Sequence, residues 1–248
     1  MTISLQKLSV SYGEKLIVDD FSIEAKSGEI VAMIAPSGAG KTTTLLAICG
    51  LLPEEANYSM SKFEFFGNNF DFFRRYSAVS FVLQNPMFFE WQTIRESIVR
   101  FQELSKSESI DIDGVLESLN ISGIGDMRPS QLSRGMLYRA SLARAMSINS
   151  KLLLLDESFS NIDEIQKAKC LESVKNWVRQ RGAICLFVTH QIADAASLAD
   201  RIMILSGTPL RSLKALEIEE NPFIRPIELC APIIQEIRDT IKRDWVLC

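Results

Sequence analysis

Apolar and polar residues alternate from Thr2 to Val10, the period of a half-buried strand. A looser alternation over residues 16–25 (Leu16, Ile17, Val18, Phe21, Ile23) predicts a second strand, with Tyr12 and Gly13 in the turn between the two. Short unbroken apolar runs follow at Glu29 to Ile34, Val79 to Leu83, Lys151 to Asp156, Ala183 to Thr189 and Arg201 to Leu205. Runs of that kind read as parallel strands buried on both faces. Helix-spaced apolar positions separate them: a helix resuming after Lys41 and closed by Leu52-Pro53, then residues 93–104 and 109–120. Ser133 to Met146 follows, with Ser133 as N-cap, then Glu164 to Arg179 and a helix running through Leu198. Alternating strands and helices predict an α/β fold, a mainly parallel sheet flanked by helices, with the N-terminal pair as an antiparallel β edge. The stretch from 86 to 148 carries helices without strands. The predicted division is therefore a core of residues 1–85 and 149–248 and a helical subdomain of 86–148. Ile227, Cys230, Ile234, Ile237 and Ile241 share one helical face, which predicts a terminal helix packed on the core.

Composition narrows the class only a little. The 248 residues are 47% apolar with a net charge of −4, ordinary globular material without a long basic block, so nucleic acid is not an expected partner. The five cysteines (Cys49, Cys170, Cys185, Cys230, Cys248) are scattered without Cys-x-x-Cys spacing, which predicts reduced thiols in the cytoplasm. No charged start leads into an apolar run, so no secretory leader is expected, and no apolar segment approaches the ~20 residues of a membrane span.

Candidate chemistry begins at Ala35-Pro-Ser-Gly-Ala-Gly-Lys-Thr-Thr43, set between a predicted strand and a predicted helix. A loop ending in Gly-Lys-Thr presents backbone N–H groups and a helix N-terminus to an anion. Lys41 can then reach the β- and γ-phosphates of a nucleotide, and the Thr42 hydroxyl can ligate magnesium. Ala35 stands where the P-loop pattern asks for Gly, tolerable if its φ is negative and costly if positive.

Further pieces follow in one order. Tyr12 lies upstream, Gln84 follows a strand, and Leu132-Ser133-Arg134-Gly135-Met136 opens a helix. Four Leu end in Asp156-Glu157, Ser160-Asn161-Ile162-Asp163 comes next, and His190 ends a strand. With the loop, these resemble the ATP-binding subunit of an ABC transporter over nearly the whole chain. The resemblance implies a P-loop NTPase fold and an active, magnesium-dependent ATPase. Its ATP-binding residues would be Tyr12 against adenine, with Pro36, Ser37, Gly38, Ala39, Gly40, Lys41, Thr42 and Thr43 around the phosphates. Thr42, Gln84 and Asp156 would serve the metal. Glu157 would be the general base or water-orienting group, with Gln84, Lys41 and His190 completing the catalytic set. Ser133 and Gly135 would bind the ATP of a partner subunit, a second copy or a sister ATPase, with Ser160 to Asp163 communicating across the interface. Separate membrane permease subunits and a solute-binding protein are implied, with the chain peripheral on the cytoplasmic side of the membrane.

Arg134, Met136 and Ser158 also depart from the commonest family wording. Phe89-Glu-Trp91-Gln-Thr93, Met136 and the 205–211 tail resemble importers of nitrate, sulfonate and taurine, the favoured group; Leu51-Leu-Pro-Glu54 and Gln84-Asn-Pro86 echo peptide and nickel importers. A soluble ABC-type ATPase of translation or repair is the alternative class, and a generic P-loop kinase or GTPase the third. Six Phe in residues 63–73 read mainly as core. Some of Phe88, Phe89 and Trp91 read as a groove for a short helix of the membrane subunit.

Overall fold

The computed structural model describes residues 2–71, 79–105, 107–157, 159, 160, 162–218 and 224–245, with the side chains of Ile227 and Asp244 left aside. β1 (Thr2–Tyr12) and β2 (Lys15–Lys26) pair antiparallel, and Tyr12 is the last strand residue, opposite Lys15, rather than a turn residue. β3 (Ile30–Ile34) leads through the glycine loop into α1 (Lys41–Cys49). That helix ends earlier than Leu52-Pro53, because Gly50 takes the left-handed conformation (φ 69°) and donates its N–H to the Ala47 carbonyl. β4 (Ala56–Ser59) and β5 (Lys62–Phe65) then pair one after the other with the free edge of β1. The antiparallel strands thus form a sheet of their own, into which β5 buries Phe63 and Phe65. Phe72 and Phe73 lie outside the described residues.

β6 (Val79–Val82) starts the next part of the chain, followed by α2 (Ile94–Ser105), α3 (Ile112–Ser118), a 3-10 turn at Pro129–Gln131 and α4 (Arg134–Met146). α3 is shorter than 109–120 because Asp111 caps it, its carboxylate accepting from Gly114 N at 2.8 Å. β7 (Leu152–Asp156), α5 (Glu164–Arg181), β8 (Ile184–Thr189), α6 (Ile192–Leu198), β9 (Arg201–Leu205) and β10 (Ser212–Glu217) complete the main sheet in the order β10-β9-β3-β8-β7-β6. All its neighbours are parallel except β10, which returns antiparallel on β9.

The period of two in the central strands sorts their side chains into two cores. Ile30, Ala32 and Ile34 of β3 and Leu153 and Leu155 of β7 face the core covered by α4, α5 and α6. Val31 and Met33 of β3, with Leu152 and Leu154 of β7, face the opposite core under α1 and the antiparallel sheet. Strands buried on both faces need continuous apolar runs, which is why four Leu stand in a row. At the far rim, Arg201 ties the two sheets, donating to Glu29 Oε1 at 2.9 Å and to the Glu24 carbonyl.

The C-terminal segment divides where the sequence pattern predicts one helix. Ile227 and Cys230 belong to a 3-10 turn (Ile227–Cys230), and α7 (Ala231–Asp244) starts anew at Ala231-Pro232, since proline suits only a helix's first turn. Arg225, buried just upstream, donates to the Ala196 and Ala199 carbonyls at the end of α6. Ile237 is fully buried, and Ile233, Ile241 and Trp245 pack beside the same core. Ile237→Ala should therefore lower the unfolding free energy by about 2–4 kcal/mol, read from urea denaturation; a change below about 0.5 kcal/mol, the range of surface substitutions, would show that α7 is not part of the cooperative unit.

Candidate functional site

Parallel strands deliver their carboxyl ends to one rim, and the candidate side chains gather there. Gly40 is the N-cap of α1 at φ 103°, and a Cβ on it would meet Ile17 Cγ2 at 2.8 Å, so the loop fits against β2 only with glycine. Gly38 also has positive φ (77°), which with Gly40 turns the loop around the start of α1. Ala35 is fully buried and lies outside the left-handed region, so the backbone makes no demand for glycine there. Lys41 folds back over the loop, donating to the Ala35 and Pro36 carbonyls at 3.2 and 2.9 Å.

Two carboxylates close the cluster. Asp156 ends β7, is 2% exposed, and accepts from the Thr42 hydroxyl at 2.6 Å. Burial pushes its carboxyl above the ordinary range; the Thr42 bond opposes this, the Glu157 charge adds to it, and Lys41 opposes it. The next residue, Glu157, has φ 48°, the left-handed region that side chains avoid. Its N–H donates to the Val188 carbonyl at 2.9 Å, and its carbonyl accepts from the Ser160 hydroxyl at 3.0 Å, which hold that turn. The Glu157 carboxylate then lies 3.5 Å from Lys41 Nζ and 3.3 Å from His190 Nδ1, and accepts from Gln84 Nε2 at 2.8 Å. A cleft of about 440 Å³ opens beside them, lined by Tyr12, Ile17, Ser37, Gly38, Gly40, Lys41, Thr42, Thr43, Gln84 and Glu157.

A loop of backbone N–H groups and a lysine for an anion, beside an oxygen pair with one buried carboxylate, is what this arrangement offers. Thr42 and Asp156 supply adjacent hard oxygen donors, suited to a magnesium ion that arrives on a polyphosphate and keeps waters of its own. No cluster of three His, Cys, Asp or Glu side chains that could hold a metal alone occurs among the described residues. Gln84 is turned to Glu157 rather than to the Thr42–Asp156 pair.

Ser133 and Gly135 are not among the cleft's lining residues. Ser133 is exposed at the N-cap of α4, where its hydroxyl accepts from Met136 N at 3.3 Å, and Arg134 is exposed beside it. Asp163 caps α5, while Ser158 and Asn161 lie outside the described residues. Three contributors carry no sequence signal because their partners are remote in the chain. Ile17 packs on Gly40, the Thr208 hydroxyl donates to the Gly38 carbonyl at 3.2 Å, and the buried Tyr138 hydroxyl donates to the Gln84 carbonyl.

Beyond His190, Asp194 of α6 is 5% exposed, with Lys167 Nζ 3.3 Å from Oδ1 and no hydrogen-bond partner for Oδ2 among the described residues. Burial raises its pKa above the ordinary value, opposed by Lys167 and by His190 and reinforced by Glu164.

The family model described as ABC transporter matches residues 18–160. A sulfate/thiosulfate import ATP-binding protein of Agrobacterium fabrum is 34% identical over 228 residues, which cover 84% of this chain and 64% of that protein. Its counterpart in Shewanella oneidensis is 32% identical, over 90% of this chain and 66% of that protein. The chain thus spans a little under two thirds of the length of these curated relatives. Among solved structures, an ATP-binding subunit of an ABC transporter superposes with a TM-score of 0.73 at 20% identity, over 95% of this chain and all of that one. A dimeric ATP-binding cassette in a post-hydrolysis state, bound to ADP and phosphate, gives the same score and identity over 88% of this chain.

Asp194 generates a pH test. A carboxyl whose pKa is raised by folding binds its proton more tightly when folded, so its charge costs stability as pH rises through the folded pKa. Asp194→Asn should be at least as stable as wild type at pH 7 by urea melts. That advantage should shrink as pH falls toward the ordinary carboxylate range; an Asn variant less stable at pH 7 would mean the Lys167 pair outweighs burial.

Proposed function

The chain belongs to the ABC transporter family, and on that basis we propose that it is the ATP-hydrolysing subunit of an importer for a small solute, driving a separate membrane permease. The observation that carries the reading is the Glu157 carboxylate held among Lys41, Gln84 and His190 at the mouth of a glycine-loop cleft.

Phosphoryl transfer to water is mainly a matter of position and charge neutralisation. Tyr12 borders the cleft where a base would stack, and Ser37 to Thr43 present backbone N–H groups and the α1 N-terminus to the phosphates. Lys41 exchanges its loop carbonyls for the β- and γ-phosphates. Thr42 and Asp156 would hold magnesium, which neutralises phosphate charge when bound; delivery of that ion also offsets the cost of burying the Asp156 charge. Glu157 orients or deprotonates the attacking water. Gln84 and His190, both already on its carboxylate, report the arrival of the γ-phosphate. Lys41 then leaves Glu157 for the phosphate, freeing the carboxylate for water.

Ser133 is the exposed N-cap of a helix of 13 residues, and Gly135 lies in its first turn. That placement supports the ATP sandwich, in which they meet the γ-phosphate bound by a second copy or a sister subunit and Ser160 to Asp163 carry the signal back. Residues 86–148 act as the helical subdomain and the remainder as the ATP-binding core. No helix among the described residues is long and apolar enough to cross a membrane, in keeping with a subunit on the cytoplasmic face held by the permease. The relatives' names point to sulfate or thiosulfate, small oxyanions like the nitrate and sulfonates suggested by the motif wording, and a solute-binding protein would deliver such a solute.

The docking surface proposed for the permease lies beyond Gln84. Phe89 and Trp91 are 52% and 70% exposed and stacked with centroids 4.7 Å apart, while Phe88 packs inward under Arg144. A cleft of about 650 Å³ beside them is lined by Trp91, Gln92, Val99 and Leu104 together with the charged Arg95, Glu96, Arg100 and Glu103, which would take a short amphipathic helix of the permease.

Glu157→Gln with ATP should give a stable dimer by size exclusion, since the sandwich forms and is not hydrolysed; a monomer under every nucleotide condition would overturn it. Phe89→Ala with Trp91→Ala should leave ATPase activity intact and lower co-purification with the permease. Unchanged co-purification would move the docking site elsewhere.

A further inference from the structure

The helix that begins at Ser133 is fastened at two points to the loop that carries Gln84. Tyr138, in the second turn of α4, is fully buried, and its hydroxyl donates to the main-chain carbonyl of Gln84. Six residues later, Arg144 donates from Nη1 to the Met87 carbonyl at 2.8 Å, and its guanidinium lies 4.4 Å from the Phe88 ring centroid. From that anchored main chain, the Gln84 side chain donates to Glu157 Oε2 at 2.8 Å.

We propose that Tyr138 is a positioning residue for hydrolysis: its hydroxyl sets the Gln84 main chain so that the Gln84 amide meets the Glu157 carboxylate. With Arg144 it makes α4 and residues 84–88 one body, so any displacement of Ser133 at the start of α4 is delivered to Glu157. This inference rests on the ATPase reading and gives it a route from the partner-facing helix to the reacting water. The route also reaches outward, because the same loop continues into exposed Phe89 and Trp91. A phenylalanine at 138 would fill the same space without the bond, so packing alone does not account for a fully buried hydroxyl aimed at this carbonyl.

The test compares the purified full chain with Tyr138→Phe in magnesium-dependent ATP hydrolysis and in thermal unfolding. Loss of a positioning bond should lower kcat about tenfold while KM for ATP changes less than about twofold, with the unfolding midpoint within a few degrees of wild type. Incorporating 3-fluorotyrosine at 138, which keeps the donor, should restore kcat. Arg144→Lys loses the planar group over Phe88 and should show the same split, so the test survives if the Phe variant does not fold. Equal kcat in wild type and Tyr138→Phe overturns the inference, as does a loss that 3-fluorotyrosine fails to restore. A wild-type protein without magnesium-dependent hydrolysis would instead fail the ATPase reading, and this inference with it.

Discussion

The parallel register of β3, β8, β7 and β6 is the constraint on which everything at the site depends. Ile34 lies opposite Thr189, Asp156 opposite Val188, and Val82 opposite Leu155. The residues that follow these positions are the glycine loop, His190, Glu157 and Gln84. Four loops from four parts of the sequence therefore end within reach of one carboxylate, because the strands beneath them end at the same height. Holding that height requires strands buried on both faces, and the two cores on either side of the sheet supply the apolar surface that fixes it.

The electrostatics follow from this convergence. A buried Asp156 would be costly alone, and it is met by a hydroxyl at 2.6 Å and by the Lys41 charge nearby. Lys41 is itself only 6% exposed and takes its partners from loop carbonyls and Glu157. The cluster sets one lysine between two carboxylates, and a polyphosphate entering it would redistribute the bonds that Lys41 makes to the loop carbonyls and to Glu157.

Much of this was legible in local sequence. The four-Leu run, the Ser133 cap, and the strand–loop–helix at Lys41 are encoded within a few residues, so their chemistry shows in the pattern. Other features were not, for definite reasons. β10 (SLKALE) is an exposed edge strand whose pattern lacks a buried run, and β4 (ANYS) has no buried residue. The division of the terminal helix turns on one proline, which periodicity overlooks. Tyr138 reads as an ordinary core aromatic until the Gln84 carbonyl, 54 residues away, is placed against its hydroxyl. Ala35 gains its meaning only from a backbone angle, and the same holds for Glu157.

Glu157 occupies a left-handed conformation that glycine adopts freely and that costs an L-residue about 1–2 kcal/mol. The position is thus pulled in opposite directions by folding and by chemistry. On the water-orienting role proposed for Glu157, a glycine there would relax the backbone and leave the protein inert, while the glutamate keeps both the strain and the carboxylate. Drift toward thermal robustness at this one residue would extinguish the catalyst without unfolding it. A chain of this family that has lost its turnover could therefore survive as a well-folded nucleotide binder, and the backbone angle at this residue marks where that path begins.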